Sequence, residues 1–263
     1  MRVFLALVLI LGLSGCIKPP RREVGSVEDL GYPSCGEDAL PAGELVAEGY
    51  LRSGPMMREE DVVERFEVRR RDCVTVVQAH QEWALGTSDL DVVYDEALLP
   101  LRVWKRTTAP SAADPIATIE TRRFELRGDR TTMTGRSRDG RRRHFVLRGG
   151  RPQAVVGPGR GLLTAWFQRA DLGVGGRERV PVLDVREPIE RIREVTLQRL
   201  ADDEVEGRGR VRVYTIYGRE PVFADDDNVV VGDMYGLRPD AVLDTPAPAP
   251  LPTAGPVDPI HTP

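Results

Sequence analysis

Residues 211–217 read Val-Arg-Val-Tyr-Thr-Ile-Tyr. Val211, Val213, Thr215 and Tyr217 recur at every second position, the period that sets side chains on one face of a β-strand. They are also β-branched or aromatic, the types that suit a pleated, half-buried surface. Working back toward the N-terminus, the same alternation recurs at Val195-Leu197, Val180-Val182, Ala154-Val156, Phe145-Leu147, Phe124-Leu126 and Ile116-Thr118-Glu120. It continues at Leu99-Leu101-Val103, Leu90-Val92-Tyr94, Cys73-Thr75-Val77-Ala79 and Glu64-Phe66-Val68. Between these runs stand Gly128-Asp129, Asp139-Gly140, Gly149-Gly150 and Gly157-Pro158-Gly159, which are turn formers. Asp139-Gly140 marks the centre of a hairpin. About ten strands joined by links this short predict an antiparallel meander, because parallel neighbours need longer crossovers.

One segment departs from that period. Leu162, Leu163, Trp166, Phe167 and Ala170 fall on one face of a helix, opened by Gly161 and closed near Gly173. A stripe this large must be buried, so the predicted fold is mainly β: a curved antiparallel sheet, half-barrel or open barrel, with one short amphipathic helix on its concave face. Glu187 to Arg193 fits either a helix opened by Pro188 or a link between strands.

The N-terminus carries a different signal. Val3 to Leu13 is uncharged and follows Arg2, but it is too short for the roughly 20 residues that cross a bilayer as a helix. Leu13-Ser14-Gly15-Cys16 reads as a bacterial lipobox, predicting cleavage before Cys16 and lipid on its thiol. More than one acyl chain makes anchoring stable. Ile17 follows the cysteine in place of the aspartate of inner-membrane retention, so the periplasmic face of the outer membrane is the expected location. Residues 1–15 are thus read as signal peptide, 16–39 as lipidated N-terminus and tether, 40–237 as the β-rich domain and 238–263 as a disordered tail. From Pro239 to Pro263 the tail holds eight prolines.

The formal charge of −4 argues against a nucleic-acid partner. Of 37 basic residues only Lys18 and Lys105 are lysine. With Cys16 lipidated, Cys35 and Cys73 remain, and in an oxidising compartment they are expected to pair. A bridge across that span is worth about 4 kcal/mol by loop closure.

Tyr94-Asp95-Glu96-Ala97-Leu98-Leu99-Pro100-Leu101-Arg102, preceded by Leu40-Pro41-Ala42-Gly43-Glu44 and followed by Gly161-Leu162-Leu163-Thr164-Ala165-Trp166-Phe167, resembles an uncharacterised family of Gram-negative periplasmic proteins. That family is a domain of unknown function, similar in expected fold to the half-barrel of the lipoprotein-localisation (Lol) carriers. The resemblance spans residues 40–220 and implies a curved sheet with a helix on its concave side, a shape that in the Lol carriers holds acyl chains. Trp166 and Phe167 are bulkier than the family pattern, and the arginine-rich turns are particular to this chain. The family supplies no catalytic residue.

No catalytic residue, metal site or cofactor is predicted from the residues either. His80 and His144 lie in strand segments without metal-ligand spacing, and His261 lies in the tail. There is no Gly-x-Ser-x-Gly elbow. Gly157-Pro158-Gly159-Arg160-Gly161 lacks the Lys-Ser/Thr ending of a phosphate loop and reads as a turn before the helix. Asp225-Asp226-Asp227-Asn228 lacks the glycine and distal glutamate of a calcium loop and reads as a solvated turn. Arg69-Arg70-Arg71 and Arg141-Arg142-Arg143 alternate between strand faces, so neither makes a patch by itself. They suit solvated edges or anionic lipid headgroups. Two functions follow: a non-catalytic envelope interaction or scaffold protein with its concavity filled, or a carrier that holds an acyl chain, lipoprotein or other apolar ligand against Leu162, Leu163, Trp166 and Phe167.

Overall fold

The computed structural model describes residues 43–52, 62–71, 73–83, 86–111, 114–137, 140–186, 190–205, 209–218, 220–233 and 238–239. The lipobox, Cys35 and most of the tail lie outside them.

Eight strands in chain order form a meander: β1 (Glu44–Arg52), β2 (Val63–Arg71), β3 (Val74–Trp83), β4 (Gly86–Tyr94), β5 (Pro100–Ser111), β6 (Asp114–Arg127), β7 (Arg130–Arg136) and β8 (Arg142–Leu147). β16 (Arg238–Pro239) pairs with β1 and completes a nine-stranded antiparallel sheet A. That pairing draws the first two residues assigned to the tail into the sheet. The predicted runs at Ile116 and Phe124 belong to one fourteen-residue strand, β6, which pairs along β5 with a single register shift between Ala109 and Ser111.

A second sheet, B, is a curved, open half-barrel. It contains β9 (Ala154–Val156), β10 (Arg177–Asp184), β11 (Arg191–Arg199), β13 (Gly209–Ile216), β14 (Glu220–Ala224) and β15 (Val230–Asp233), with β12 (Asp203–Val205) beside β13. Here the purely antiparallel expectation fails: β9 and β10 are parallel. The crossover between them carries helix α1 (Leu163–Ala170), so the rule that parallel neighbours need a long connection is kept while the inference from it is not. Of the ambiguous segment, Arg191–Arg193 is strand.

Three hairpins share one turn. Asp95 N–H donates to Leu99 O, Ser137 N–H to Arg141 O and Asp225 N–H to Val229 O. In each, the fourth residue is left-handed: Leu98 at φ 56°, Gly140 at φ 78° and Asn228 at φ 61°. Asp95 and Asp225 reinforce it, since one carboxylate oxygen of each accepts two amides inside its own turn. The Asp225–Asn228 run is therefore a structural turn, with Asn228 Oδ1 accepting from the Tyr214 hydroxyl at 2.6 Å.

The core lies between the sheets and takes residues from both. Sheet A contributes Val68, Val77, Val92, Val103, Phe124 and Met133, and sheet B contributes Val155, Val182, Leu183, Val195, Leu197 and Tyr214. Helix α1 is set into it. Phe167 stacks on Tyr214 with ring centroids 4.2 Å apart, and Thr164 Oγ1 accepts the Val230 amide.

Candidate functional site

Register decides what sheet A presents to the core. Val68, Val77, Val92, Val103, Phe124 and Met133 stand directly opposite one another across successive strands, making one apolar row. Four positions along, Glu64, Gln81, Ser88, Thr107 and Glu120 form a second row with the same strict pairing. All five are polar and all five are buried. Between the two rows lie Phe66, Ala79, Leu90, Lys105 and Arg122.

A buried polar group costs free energy unless it is hydrogen-bonded. Most of this seam is satisfied by segments that cross over it. Glu64 accepts Gly161 N–H at 2.7 Å and Arg160 N–H at 2.9 Å, and Gln81 Nε2 donates to Glu64 and to Pro158 O. In the segment read as a turn before the helix, the amides of Arg160 and Gly161 thus hold an anion, and that anion is the chain's own Glu64 carboxylate. Arg160 reaches on to Asp233 of β15 at 2.6 Å, tying the loop to sheet B. Burial pushes the Glu64 carboxyl above its ordinary range, opposed by these donors.

The other end of the seam is closed by charge. Lys105 Nζ donates to Val185 O at 3.0 Å. Arg122 pairs with Glu120 and, at 2.8 Å, with Glu190 before β11, and it also donates to Thr121 O and Arg136 O. In the middle, Ser88 Oγ and Thr107 Oγ1 stand opposite each other on β4 and β5 at 2% and 7% exposure, and among the described residues neither finds a hydrogen-bond partner. The carboxylates at either end of the row are held by Gly161, Arg160 and Arg122.

The residues predicted to line an apolar ligand site do come together, but as core. Leu162, Leu163, Trp166 and Phe167 are at most 1% exposed, and the Trp166 indole N–H donates to Glu178 of β10 at 2.9 Å. Helix α1 packs in one hydrophobic cluster with residues of both sheets. Two shallow clefts open elsewhere: one of about 410 Å³ lined by Asp171, Arg199, Asp202, Arg210 and Arg212, the other by Arg179, Glu194, Thr215 and Tyr217. In the first, Asp202 already pairs with both Arg199 and Arg210.

On the outer face of sheet A, His80 is held between Asp89 at 2.5 Å and Glu82 at 3.0 Å. The bond to Asp89 holds its imidazole above the ordinary value, against the opposing effect of burial. Burial pushes neighbouring Asp91 up to about 6. Among the described residues no cluster of His, Cys, Asp or Glu could hold a metal ion, and no helix is long and apolar enough to cross a membrane. Cys73 sits in the β2–β3 turn against Val74, Val76, Val93 and Leu101; its expected partner Cys35 and the lipidation residue Cys16 are outside the described residues.

The polar seam is not visible in the sequence, because its members are single polar residues in separate strands that only register brings into line. The signal that could have found it is the shared face: Glu64 keeps phase with Phe66 and Val68, Gln81 with Ala79 and Val77, and Ser88 with Leu90 and Val92.

No family model matches the chain, and no curated protein matches it. Among solved structures, the chain is similar to a DUF1089 family protein from Pseudomonas aeruginosa, at 14% identity over 66% of this chain and 91% of that one, with a TM-score of 0.43. It is also similar to a β-barrel-like protein of the domain of unknown function DUF1849 from Brucella abortus, at 11% identity over 72% of this chain and 85% of that one, with a TM-score of 0.42.

Proposed function

We propose that this protein is a lipid-anchored envelope protein, held at the periplasmic face of the outer membrane through Cys16, that acts as a non-catalytic interaction or scaffold module. The observation that supports this reading is the burial of Leu162, Leu163, Trp166 and Phe167: the volume in which a Lol-like carrier would hold an acyl chain is occupied by the protein's own helix. Function then falls to the outer surfaces. Cys35 and Cys73 complete the proposal as a disulfide joining the tether to the β2–β3 turn.

Native mass spectrometry of the gently purified protein tests the reading. The expected species carries only covalent acyl chains and gains no mass on incubation with fatty acid. A non-covalent lipid that co-purifies, or saturable uptake of fatty acid, would restore the carrier. The anchor has its own test: a palmitate analogue should label the parent chain and not Cys16→Ala, and labelling that survives the substitution rules the anchor out. Thiol alkylation before and after reduction tests the disulfide, and equal labelling in both states removes it.

A further inference from the structure

Cross-strand register builds a surface that the arginine triplets alone do not. On the outer face of sheet A, Arg106 stands opposite Thr121, Thr121 opposite Arg136, and Arg136 opposite Arg142. This row crosses from β5 to β8, about 14 Å at the usual strand spacing. All four residues are exposed, and among the described residues none of the three arginines forms an ion pair. Asp89, across from Arg106 on β4, is engaged by His80. In the adjacent row Trp104, Arg123, Thr134 and His144 are opposed in turn, and Arg123 lies over the Trp104 ring while holding Glu125 at 2.5 Å. At the edge strand β8, Val146 is 44% exposed on this same face, and Phe145 is 37% exposed on the other. A cationic row without ion pairs among the described residues, bordered by the exposed Val146, thus lies on a chain whose net charge is −4.

We propose that this face docks on an anionic phospholipid surface, with Arg106, Arg136 and Arg142 taking headgroup phosphates and Val146 entering the interface at the sheet edge. The argument is charge complementarity: unpaired guanidiniums suit phosphate oxygens, and an apolar rim beside them suits the headgroup boundary. An acidic protein would satisfy the arginines but leave the edge valine without a counterpart. The proposal rests on the anchored-envelope reading only for bringing a membrane within reach; the lipid preference belongs to the folded face.

Vesicle co-sedimentation of the full chain measures that preference, as the ratio of partitioning onto phosphatidylcholine vesicles containing phosphatidylglycerol to partitioning onto phosphatidylcholine alone. An anchor contributes alike to both and cancels, so failure here leaves the palmitate test of the anchor untouched. Each basic residue near such a surface is worth about a factor of five, so the three together predict a preference on the order of a hundredfold at low salt. Arg106→Gln/Arg136→Gln/Arg142→Gln should abolish most of it, and high salt should weaken it. The control Arg177→Gln/Arg179→Gln/Arg191→Gln, which removes the same charge from sheet B, should retain it, with circular dichroism used to verify that both variants fold. Equal partitioning of the parent onto both vesicles, equal losses in the two triple variants, or binding to polyglutamate without any vesicle preference would overturn the proposal.

Discussion

Glu64 on β2 accepts the amide of Gly161 at 2.7 Å across 97 residues of chain. With the Arg160 amide and Gln81 Nε2 it makes three hydrogen bonds, so this one carboxylate secures the loop that delivers helix α1 between the sheets. Glu64→Gln keeps size and shape but turns one acceptor into a donor, and the new NH₂ must face one of the three N–H groups. The expected cost is about 1–3 kcal/mol at neutral pH, measured by urea unfolding. A variant as stable as the parent would show that the loop is held by packing alone.

Stability should fall as pH rises across the mildly acidic to neutral range. Glu64 and Asp91, pushed up by burial, and His80, held up by Asp89, each bind a proton more tightly in the folded state than in the unfolded one. For such groups the contribution is full below the ordinary values of 4.5, 3.8 and 6.5 and is lost as pH climbs through the folded ones, about 6 for Asp91. Asp184 runs the other way: burial raises it, but the bonds from Arg186 and Arg193 outweigh that and leave it lowered, so its contribution disappears only in stronger acid. The urea midpoint should therefore be higher near about pH 5 than near about pH 8, and Asp91→Asn should flatten part of the slope. A midpoint that rises over this range contradicts the assignment.

The Phe66 ring lies between two glycines. A Cβ on Gly49 or on Gly161 would be driven into it, so each position is closed to any larger residue while the ring stays where it is. Gly161→Ala should cost about 1–3 kcal/mol by overpacking. In a Phe66→Leu background the penalty should shrink, giving a coupling of at least about 0.5 kcal/mol in a double-mutant cycle. Strictly additive losses would mean that the ring can move aside.

How far the fold is legible in the sequence depends on how local the signal is. β13 and β3 announce themselves through Val211, Val213, Thr215 and Val77, Ala79, because alternation is a property of neighbouring residues. β7 gives no such sign: in Arg-Thr-Thr-Met-Thr-Gly-Arg only Met133 is a large apolar residue, and its strand character comes from pairing with β6 and β8. The stripe from Leu162 to Phe167 reads as a helix and is one over Leu163–Ala170. The seam from Glu64 to Glu120 and the row from Arg106 to Arg142 are illegible for one reason, that each takes a single residue from each of several successive strands and only their register brings those residues into line. Leu98 at φ 56° is a further case, since nothing about leucine marks a left-handed turn that the Asp95 carboxylate and the hairpin closure impose.

Trp166 is the residue on which interaction module and carrier part company. It is 1% exposed, with its indole N–H on Glu178, which Arg169 also holds. Trp166→Ala leaves a void where helix and sheets meet and should cost about 3–5 kcal/mol. Trp166→Phe keeps most of the ring and should cost less, about 1–3 kcal/mol, chiefly because the Glu178 carboxylate is deprived of its indole donor. Thermal or urea unfolding of both variants measures the order. If Trp166→Ala unfolds with the parent while fatty acid gains affinity for the emptied space, the helix is a removable occupant of the concavity and the filled-core reading fails. If it unfolds far earlier and takes up no lipid, the space between the sheets belongs to the fold.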